Sequence, residues 1–276
     1  MSGHIISLHD WFETPPGQYL LDWERAQYDE AVADLFGYHA LQLGLPELDA
    51  LAANRMPQRW TAVDTAAPEK ADAAATARAP AFVTDFGALP FAENSLDLIA
   101  LPHTLELADD PHATLREVVR VLMPEGRVVI SGLNPTSLWG LREWRAQIYG
   151  HMGFGAPFLP TAGELIGYWR LRDWLRLLNF EVEAGNFGCY RPAVRSERWL
   201  GRFAWMDRAG DRWWPIFGAV YFLVAVKRVH GMRLLSAAWK PSRSAASAPV
   251  SIAHRAGGTA ARHHKSHRTK RTDTRS

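Results

Sequence analysis

The chain has 276 residues, of which 47% are hydrophobic, and this is enough to bury the core of one large domain or two small ones. A single cysteine, Cys189, excludes an internal disulfide and any metal site built from several cysteines, and it suits a reducing compartment. The net charge is only +2, but from Lys240 onward the chain carries nine Lys and Arg side chains and one Asp. The body is therefore acidic and the end of the chain is basic.

The start of the chain and its longest apolar run indicate whether the protein is targeted to a membrane. Residues 1–11 contain no basic segment followed by an apolar stretch, so the sequence shows no secretory signal. The longest apolar run, residues 215–226, spans 12 residues, whereas a membrane-spanning helix needs about 20. We therefore expect a cytoplasmic protein without a transmembrane segment.

The first part of the chain predicts one helix and two strands. Residues 18–36 place apolar side chains among charged ones with helical spacing, so we expect residues 1–38 to form an N-terminal helical segment that packs on the domain. Residues 39–44 predict the first strand and its turn, and residues 59–64 predict the second strand. Asp64 ends that strand, where it either meets a ligand or caps the next turn.

The clearest pattern lies in residues 82–134. Apolar runs at residues 96–101 and 127–131 flank a helix, for which Asp110 is a good N-cap and Pro111 suits the first position. Neither run alternates polar and apolar residues, so both faces of the strands are covered. The pattern predicts a doubly wound α/β domain with a mostly parallel sheet and helices on both faces, in which ligands bind at the carboxyl ends of the strands.

Several short motifs follow one another in this stretch. They are Asp85, Leu89-Pro90-Phe91, Ser95-Leu96-Asp97-Leu98-Ile99, Leu105-Glu106, Asp110-Pro111, Leu115-Arg116-Glu117, Arg120-Val121-Leu122 and Pro124-Glu125-Gly126-Arg127. As a set, their order and spacing resemble the class I S-adenosylmethionine-dependent methyltransferases of the type 11 group. The resemblance is strong over residues 82–134 and fainter over residues 39–228. It implies a Rossmann-like, seven-stranded sheet, S-adenosylmethionine as the cofactor, and methyl transfer as the activity.

The loop after the first strand departs from the family. There, an acidic residue and a Gly-x-Gly-x-Gly loop let the backbone approach the cofactor, with a helix N-terminus behind the loop. In this chain Gln42 replaces the acid, Gly44 is kept, and Pro46 and Leu48 stand where the second and third glycines belong. The altered loop either still binds the cofactor in a changed form or has lost it.

The resemblance also implies roles for residues at the other strand ends. Asp64 would bind the ribose hydroxyls, Asp85 the adenine amino group, and the backbone N–H of Phe86 the adenine ring, with Pro102 at the edge where the methyl group lies. His103 could act as a base or orient a substrate, because imidazole titrates near neutral pH. For Asp85 and His103 the alternatives are structural roles, in a turn and in the core.

The second half of the chain is rich in tryptophan. Nine of the twelve Trp lie from Trp139 onward, and the segments after the fifth strand could line an apolar or aromatic acceptor pocket, with plain core packing as the alternative. Residues 165–180 predict a helix, and residues 219–226 predict the last strand, which the resemblance pairs antiparallel with a strand beginning at Phe180. Residues 188–218 form an insertion that could be a lid or an acceptor-recognition element.

We expect residues 39–230 to form the methyltransferase-like domain and residues 240–276 to form a disordered tail. The tail could bind nucleic acid or an anionic surface, or could serve solubility alone. No nicotinamide fingerprint, Walker loop, His-Glu-x-x-His zinc motif or Gly-x-Ser-x-Gly elbow occurs. The sequence thus favours a methyltransferase with an unidentified acceptor. The alternatives are an inactive methyltransferase-like scaffold or partner subunit, and a nucleic-acid-associated protein acting through its tail.

Overall fold

The computed structural model describes residues 8–64, 79–150, 158–160 and 165–228. The strands are β1 (His39–Leu43), β2 (Gln58–Asp64), β3 (Phe82–Thr84), β4 (Leu96–Pro102), β5 (Leu122–Leu133), β6 (Phe180–Gly188) and β7 (Val220–Lys227). They form one sheet in the order β3-β2-β1-β4-β5-β7-β6. The first five strands are parallel, and β7 runs antiparallel to both of its neighbours. This confirms the predicted seven-stranded, mostly parallel sheet and its antiparallel end.

The helices of the described residues are α1 (Leu8–Phe12), α2 (Pro15–Ala33), α3 (Thr104–Leu107), α4 (Pro111–Val121), α5 (Leu138–Gly150), α6 (Tyr168–Leu177), α7 (Glu197–Arg202) and α8 (Trp205–Trp213). A short 3₁₀ turn, Pro215–Phe217, follows α8. Helices α7 and α8 and this turn make up the Trp-rich insertion. None of these helices is long and apolar enough to cross a membrane.

Helix α4 begins as the sequence predicts. The Asp110 carboxylate accepts hydrogen bonds from the N–H groups of His112 and Ala113 at 2.9 and 3.0 Å, and Pro111 occupies the first turn, where no N–H is needed. Helix α6 is shorter than expected. It ends just before Asn179, whose backbone is left-handed with φ of 62°, a conformation that stops a helix.

Both faces of the sheet are covered, which explains the unbroken apolar strands. On β4, Leu98 and Ala100 pack in the cluster that includes α2, while Ile99 and Leu101 pack in the cluster that includes α4 and α6. Alternate side chains of one strand therefore enter different cores. The observation confirms that the domain is doubly wound.

The N-terminal helices belong to the same compact unit as the sheet, which comprises Met1–Gly231. Tyr28 and Val32 of α2 are fully buried in the cluster under that helix. The predicted basic tail, residues 240–276, lies outside the described residues, so its disorder and its binding to nucleic acid stay predictions.

Helix α6 provides a matched pair of substitutions that tests this packing. Leu171 is fully buried, whereas Leu177 on the same helix is 81% exposed. We expect Leu171→Ala to lower the free energy of unfolding by about 2–5 kcal/mol, because it leaves a cavity in the core, and Leu177→Ala to change it by less than about 0.5 kcal/mol. Urea unfolding followed by circular dichroism measures both. Equal losses in the two variants would contradict the assignment of the buried face.

Candidate functional site

Four parallel strands bring the predicted cofactor residues to one edge of the sheet. Gly44 follows β1, Asp64 ends β2, Asp85 follows β3 and Pro102 ends β4. The Gly44 N–H donates a hydrogen bond to the carbonyl oxygen of Ala62 at 2.8 Å, which holds the turn after β1 against β2. The edge is the one at which ligands of doubly wound sheets bind.

Gly44 and Phe86 lie in contact at this edge. Gly44 has a φ of 75°, a conformation that favours glycine. A Cβ atom built there would lie 3.5 Å from the hydroxyl oxygen of Thr104 and 3.8 Å from the buried ring of Phe86, which are ordinary contact distances. The backbone conformation, rather than lack of space, therefore requires glycine at position 44.

The Gln42 side chain closes the loop that follows. It is fully buried, and its amide nitrogen donates to the carbonyl oxygens of Leu45 at 3.0 Å and Leu48 at 2.6 Å, while its oxygen accepts from the N–H of Ala50 at 2.9 Å. A carboxylate can only accept hydrogen bonds, so an acid at this position could not make the same set. The amide of Gln42 therefore makes hydrogen bonds that hold the loop in its closed conformation, and an acid could not make all of them.

Leu48 is a core residue. It is fully buried together with Leu45 and Leu51 in the cluster under α2. The connection from Gly44 to Gln58 consists of turns without a helix, so the helix N-terminus that the resemblance implies behind the loop is missing. The strand-end residues expected to hold the nucleoside half of S-adenosylmethionine lie at this edge, but residues 45–51 do not form the glycine cradle for its other half.

The two carboxylates at the strand ends differ in exposure. Asp64 is half-buried, whereas Asp85 is exposed, and one Asp85 oxygen accepts from the N–H of Gly87 at 2.7 Å. This short-range bond is the turn-forming arrangement considered for Asp85. The second carboxylate oxygen has no hydrogen bond of its own in the described ranges, so the turn does not use up the acceptor capacity of the side chain.

Two charged motif residues hold the neighbouring turn. Glu117 accepts from the N–H of Leu89 at 3.0 Å, and Arg120 donates to the carbonyl oxygens of Leu89 and Phe91 at 3.0 and 2.9 Å. Their side chains also pair at 2.8 Å, and this bond lowers the pKa of the Glu117 carboxyl. The spacing of these motifs therefore has a structural explanation, since helix α4 fixes the turn beside Asp85.

A buried ion cluster lies at the carboxyl end of β4. The Nε2 atom of His103 is 3.0 Å from a Glu24 carboxylate oxygen, and its Nδ1 atom is 2.9 Å from a Glu106 oxygen. All three side chains are almost fully buried. His103 also has a left-handed backbone, with φ of 52°, and such strain is concentrated at functional sites.

The two carboxylates decide the charge of this histidine. Burial alone would lower the pKa of His103, but Glu24 and then Glu106 outweigh it and raise the pKa to about 10. His103 is therefore a cation at neutral pH, with no free lone pair to accept a proton. In this arrangement the imidazolium offsets the charge of the two carboxylates, and a protonated ring has no lone pair with which to act as a base.

The carboxylates of the cluster are held differently. Glu106 also accepts from the backbone N–H of Leu133 at the end of β5. The Glu24 oxygens are buried without any aligned hydrogen bond, so the 3.0 Å contact with His103 is an ion pair only. No group of three His, Cys, Asp or Glu in the described ranges is arranged to hold a metal ion.

Sequence reasoning missed Glu24, although a signal was present. Leu20, Glu24, Tyr28 and Val32 recur every four residues and form the buried stripe of α2. A charged residue on an apolar stripe has to be paired, because an unpaired buried charge is too costly. The spacing therefore indicates a buried acid, but its partner His103 lies too far along the chain to be found from the sequence.

An open cavity of about 590 Å³ lies beside the segment that follows β5. It is lined by Pro135, Thr136, Ser137, Leu138, Gly140, Leu141, Glu143, Trp144, Gln147, Leu165 and Phe217. Its walls are mainly apolar with a few polar groups, and its volume is typical of small-molecule sites. Of the tryptophans that the structure describes, Trp144 alone lines it, whereas Trp139 is buried in the core.

A family model and two curated proteins match parts of this sequence. A family model described as a methyltransferase domain matches residues 44–130. The uncharacterized protein YafS of Escherichia coli (strain K12) is 44% identical over 98 residues, which cover 34% of this chain and 36% of that protein. Malonyl-[acyl-carrier protein] O-methyltransferase of Laribacter hongkongensis (strain HLHK9) is 32% identical over 157 residues, which cover 49% of this chain and 51% of that protein. The chain thus spans about a third to a half of the curated relatives it matches.

A solved structure from Thermotoga maritima shares the fold. It is described as a SAM-dependent methyltransferase, possible histamine N-methyltransferase, and it has a TM-score of 0.51 at 16% sequence identity. The match covers 80% of this chain and 94% of that chain. At this identity the likeness shows the fold alone.

The charge of His103 leads to a prediction about pH. The folded pKa of about 10 lies above the ordinary value of 6.5, so the stability that this proton contributes is fully present below pH 6.5 and is lost as the pH rises through 10. We expect a loss of up to about 1.4 kcal/mol per pH unit within that window. Urea unfolding across the window should show this slope in the wild type and not in His103→Gln.

The same variant also tests the pairing at neutral pH. His103→Gln leaves two buried carboxylates without their cation, which costs about 3–5 kcal/mol. The control is His112→Gln, because His112 is exposed, and it should keep the wild-type slope and stability. Identical pH profiles of the wild type and His103→Gln would show that His103 is neutral.

Proposed function

We propose that this chain binds S-adenosylmethionine and transfers its methyl group to an acceptor. The premise is that the chain contains a class I S-adenosylmethionine-dependent methyltransferase domain of the type 11 group. The observation that carries the proposal is the buried cluster of Glu24, His103 and Glu106 at the end of β4. Three ionised groups are expensive to bury, and a strained histidine among them is typical of a functional site. The cluster lies at the edge where the family holds the transferred methyl group.

The residues that would hold the cofactor follow the resemblance. The Asp64 carboxylate at the end of β2 is suited to accept hydrogen bonds from the ribose hydroxyls. Asp85 keeps one carboxylate oxygen for the adenine amino group, and the backbone N–H of Phe86 lies next to it in the chain. Gly44 leaves its side of the edge without a side chain, and Pro102 ends the adjacent strand.

S-adenosylmethionine, when bound, supplies a methyl group on a cationic sulfur, which a nucleophile accepts in line. Catalysis of such a transfer rests mostly on positioning. The ion cluster carries two carboxylates against one imidazolium, so its net charge is negative and favours a neighbouring cation. Glu24 is fully buried and its oxygens lack aligned donors, so in this proposal it favours a neighbouring positive charge without contacting the acceptor.

The cavity beside α5 is the acceptor site in this proposal. Leu138, Leu141 and Phe217 supply apolar walls, while Thr136 and Glu143 supply polar groups. An acceptor with an apolar or aromatic body and one polar end matches this lining. The buried thiol of Cys189, the one cysteine of the chain, agrees with a reducing, cytoplasmic compartment.

A second candidate function is a methyltransferase-like protein that has lost its activity. The observation that favours it is the closed loop after β1, in which Gln42 binds the backbone and Leu48 is part of the core. Such a protein would act as a scaffold or as a partner subunit. It differs from the first proposal in one measurable property, because it does not bind the cofactor.

Cofactor binding separates the two candidates. A ligand that binds only the native state stabilises it by RT ln(1 + [L]/Kd), or about 2.7 kcal/mol at a hundred times Kd. We expect millimolar S-adenosylmethionine or S-adenosylhomocysteine to raise the melting temperature of the wild type and not that of Asp64→Asn. Calorimetric titration gives the affinity directly.

The matched control is Glu93→Gln, which changes one exposed acid at the start of β4 and should leave the shift unchanged. No shift of the wild type at millimolar cofactor would contradict methyltransferase activity and favour the inactive candidate. A shift that survives in Asp64→Asn would show that the ribose contact has been assigned to the wrong residue.

A further inference from the structure

The end of α8 and the turn that follows it are unusually apolar for an exposed segment. Every residue from 211 to 217 is exposed, and the stretch contains Trp213, Trp214, Ile216 and Phe217. Trp213 alone is 68% exposed. Soluble proteins rarely expose contiguous apolar side chains, and those that do use them to bind a partner or a membrane.

The outer face of α5 continues this surface. Leu138, Leu141 and Trp144 are exposed and recur at the spacing of one helical face, with Trp144 60% exposed. Phe217 of the turn lines the same cavity as these three side chains, so the two segments adjoin. We call the following set the apolar rim: Leu138, Leu141, Trp144, Trp213, Ile216 and Phe217.

The rim is held in place by a polar residue at the start of the same segment. The Asn134 side-chain amide donates to the backbone oxygens of Ile216 at 2.7 Å and Gly218 at 2.9 Å. These bonds fix the C-terminal end of the exposed turn to the end of β5. The backbone that carries these apolar side chains is therefore held in place by the rest of the domain.

Arginine is frequent in the segments that carry this apolar surface. Residues 188–218 contain six Arg and three Asp or Glu, although the chain before Lys240 carries more acidic than basic residues. Exposed arginines also lie on the rim's own helix α5, at Arg142 and Arg145. The insertion that carries part of the rim is thus net basic, whereas the chain before Lys240 as a whole is net acidic.

We propose that the apolar rim docks the protein on the surface of an anionic phospholipid bilayer. Tryptophan is suited to the boundary between headgroups and acyl chains, since it has an apolar body and one polar group. Arginine can lay its stem along apolar surface and pair its guanidinium with lipid phosphate. Shallow insertion of apolar side chains combined with attraction to anionic lipid is how interfacial segments bind.

The sequence supports a bilayer over a protein partner. A single weak anchor gives only reversible binding, and stable attachment takes a second signal such as a polybasic segment. The chain has this second signal, because residues 240–276 carry nine basic residues and one acidic residue. A flat bilayer also tolerates the open cavity beside the rim, whereas a tight protein interface requires complementary packing.

Vesicle co-sedimentation of the full chain tests the proposal. We expect binding to vesicles of phosphatidylcholine with a quarter phosphatidylglycerol, weaker binding at high salt, and little binding to pure phosphatidylcholine. The combined change Trp213→Ser, Ile216→Ser and Phe217→Ser should weaken binding about tenfold or more, because it removes the inserted side chains. Circular dichroism and thermal unfolding check that the variant is folded, and both should match the wild type since these side chains are exposed.

Two further variants complete the test. Phe36→Ser with Val83→Ser removes exposed apolar side chains before β1 and on β3, the edge strand at the other end of the sheet from β7 and β6, and should bind as the wild type does. The combined change Lys265→Ser, Arg268→Ser, Lys270→Ser and Arg271→Ser should weaken binding to anionic vesicles without abolishing it.

Several results would overturn the proposal. One is the absence of binding of the wild type to anionic vesicles, and another is wild-type binding by the rim variant. Complete loss in the basic-segment variant together with full binding by the rim variant would assign the attachment to residues 240–276 alone. Unchanged vesicle binding by the rim variant together with loss of a co-purifying acidic protein would assign the surface to a protein partner.

Discussion

The ion cluster of His103 with Glu24 and Glu106 is the interaction on which the edge of the sheet at the carboxyl ends of the parallel strands depends. It joins helix α2, the end of β4 and, through the N–H of Leu133, the end of β5. Burying three charged groups is favourable only if all of them stay in place, because removal of one partner leaves an uncompensated charge. Helix α2 is therefore fixed by electrostatics as well as by its apolar stripe.

The fold was largely predictable because its signals are local. The cap at Asp110 and the apolar runs on either side of α4 follow from residues close together in the chain, whereas the antiparallel end of the sheet was expected from the family resemblance alone. The ion cluster was not predictable, since Glu24 and His103 meet only in the folded protein. His103 was found by its place at the end of a strand, but its charge comes from partners that spacing could not identify.

The loop after β1 shows how several departures from a family pattern depend on one another. Gln42 can donate to Leu48 and accept from Ala50 at once, which an acid cannot do. Leu48 then packs in the core, and the connection to β2 has turns where the family has a helix. Returning position 42 alone to an acid would bury a charge and break these bonds, so it would not recreate the family's loop.

The buried cluster and the apolar rim share a single support. Leu133 and Asn134 are consecutive residues, yet the backbone of the first binds Glu106 in the cluster and the side chain of the second binds the backbone of Ile216 in the rim. A displacement of the exposed turn would pull on Asn134 and, through one peptide bond, on the carboxylate that holds His103. Because the two groups that make these bonds are adjacent in the chain, the end of β5 links the apolar rim to the charges at the sheet edge.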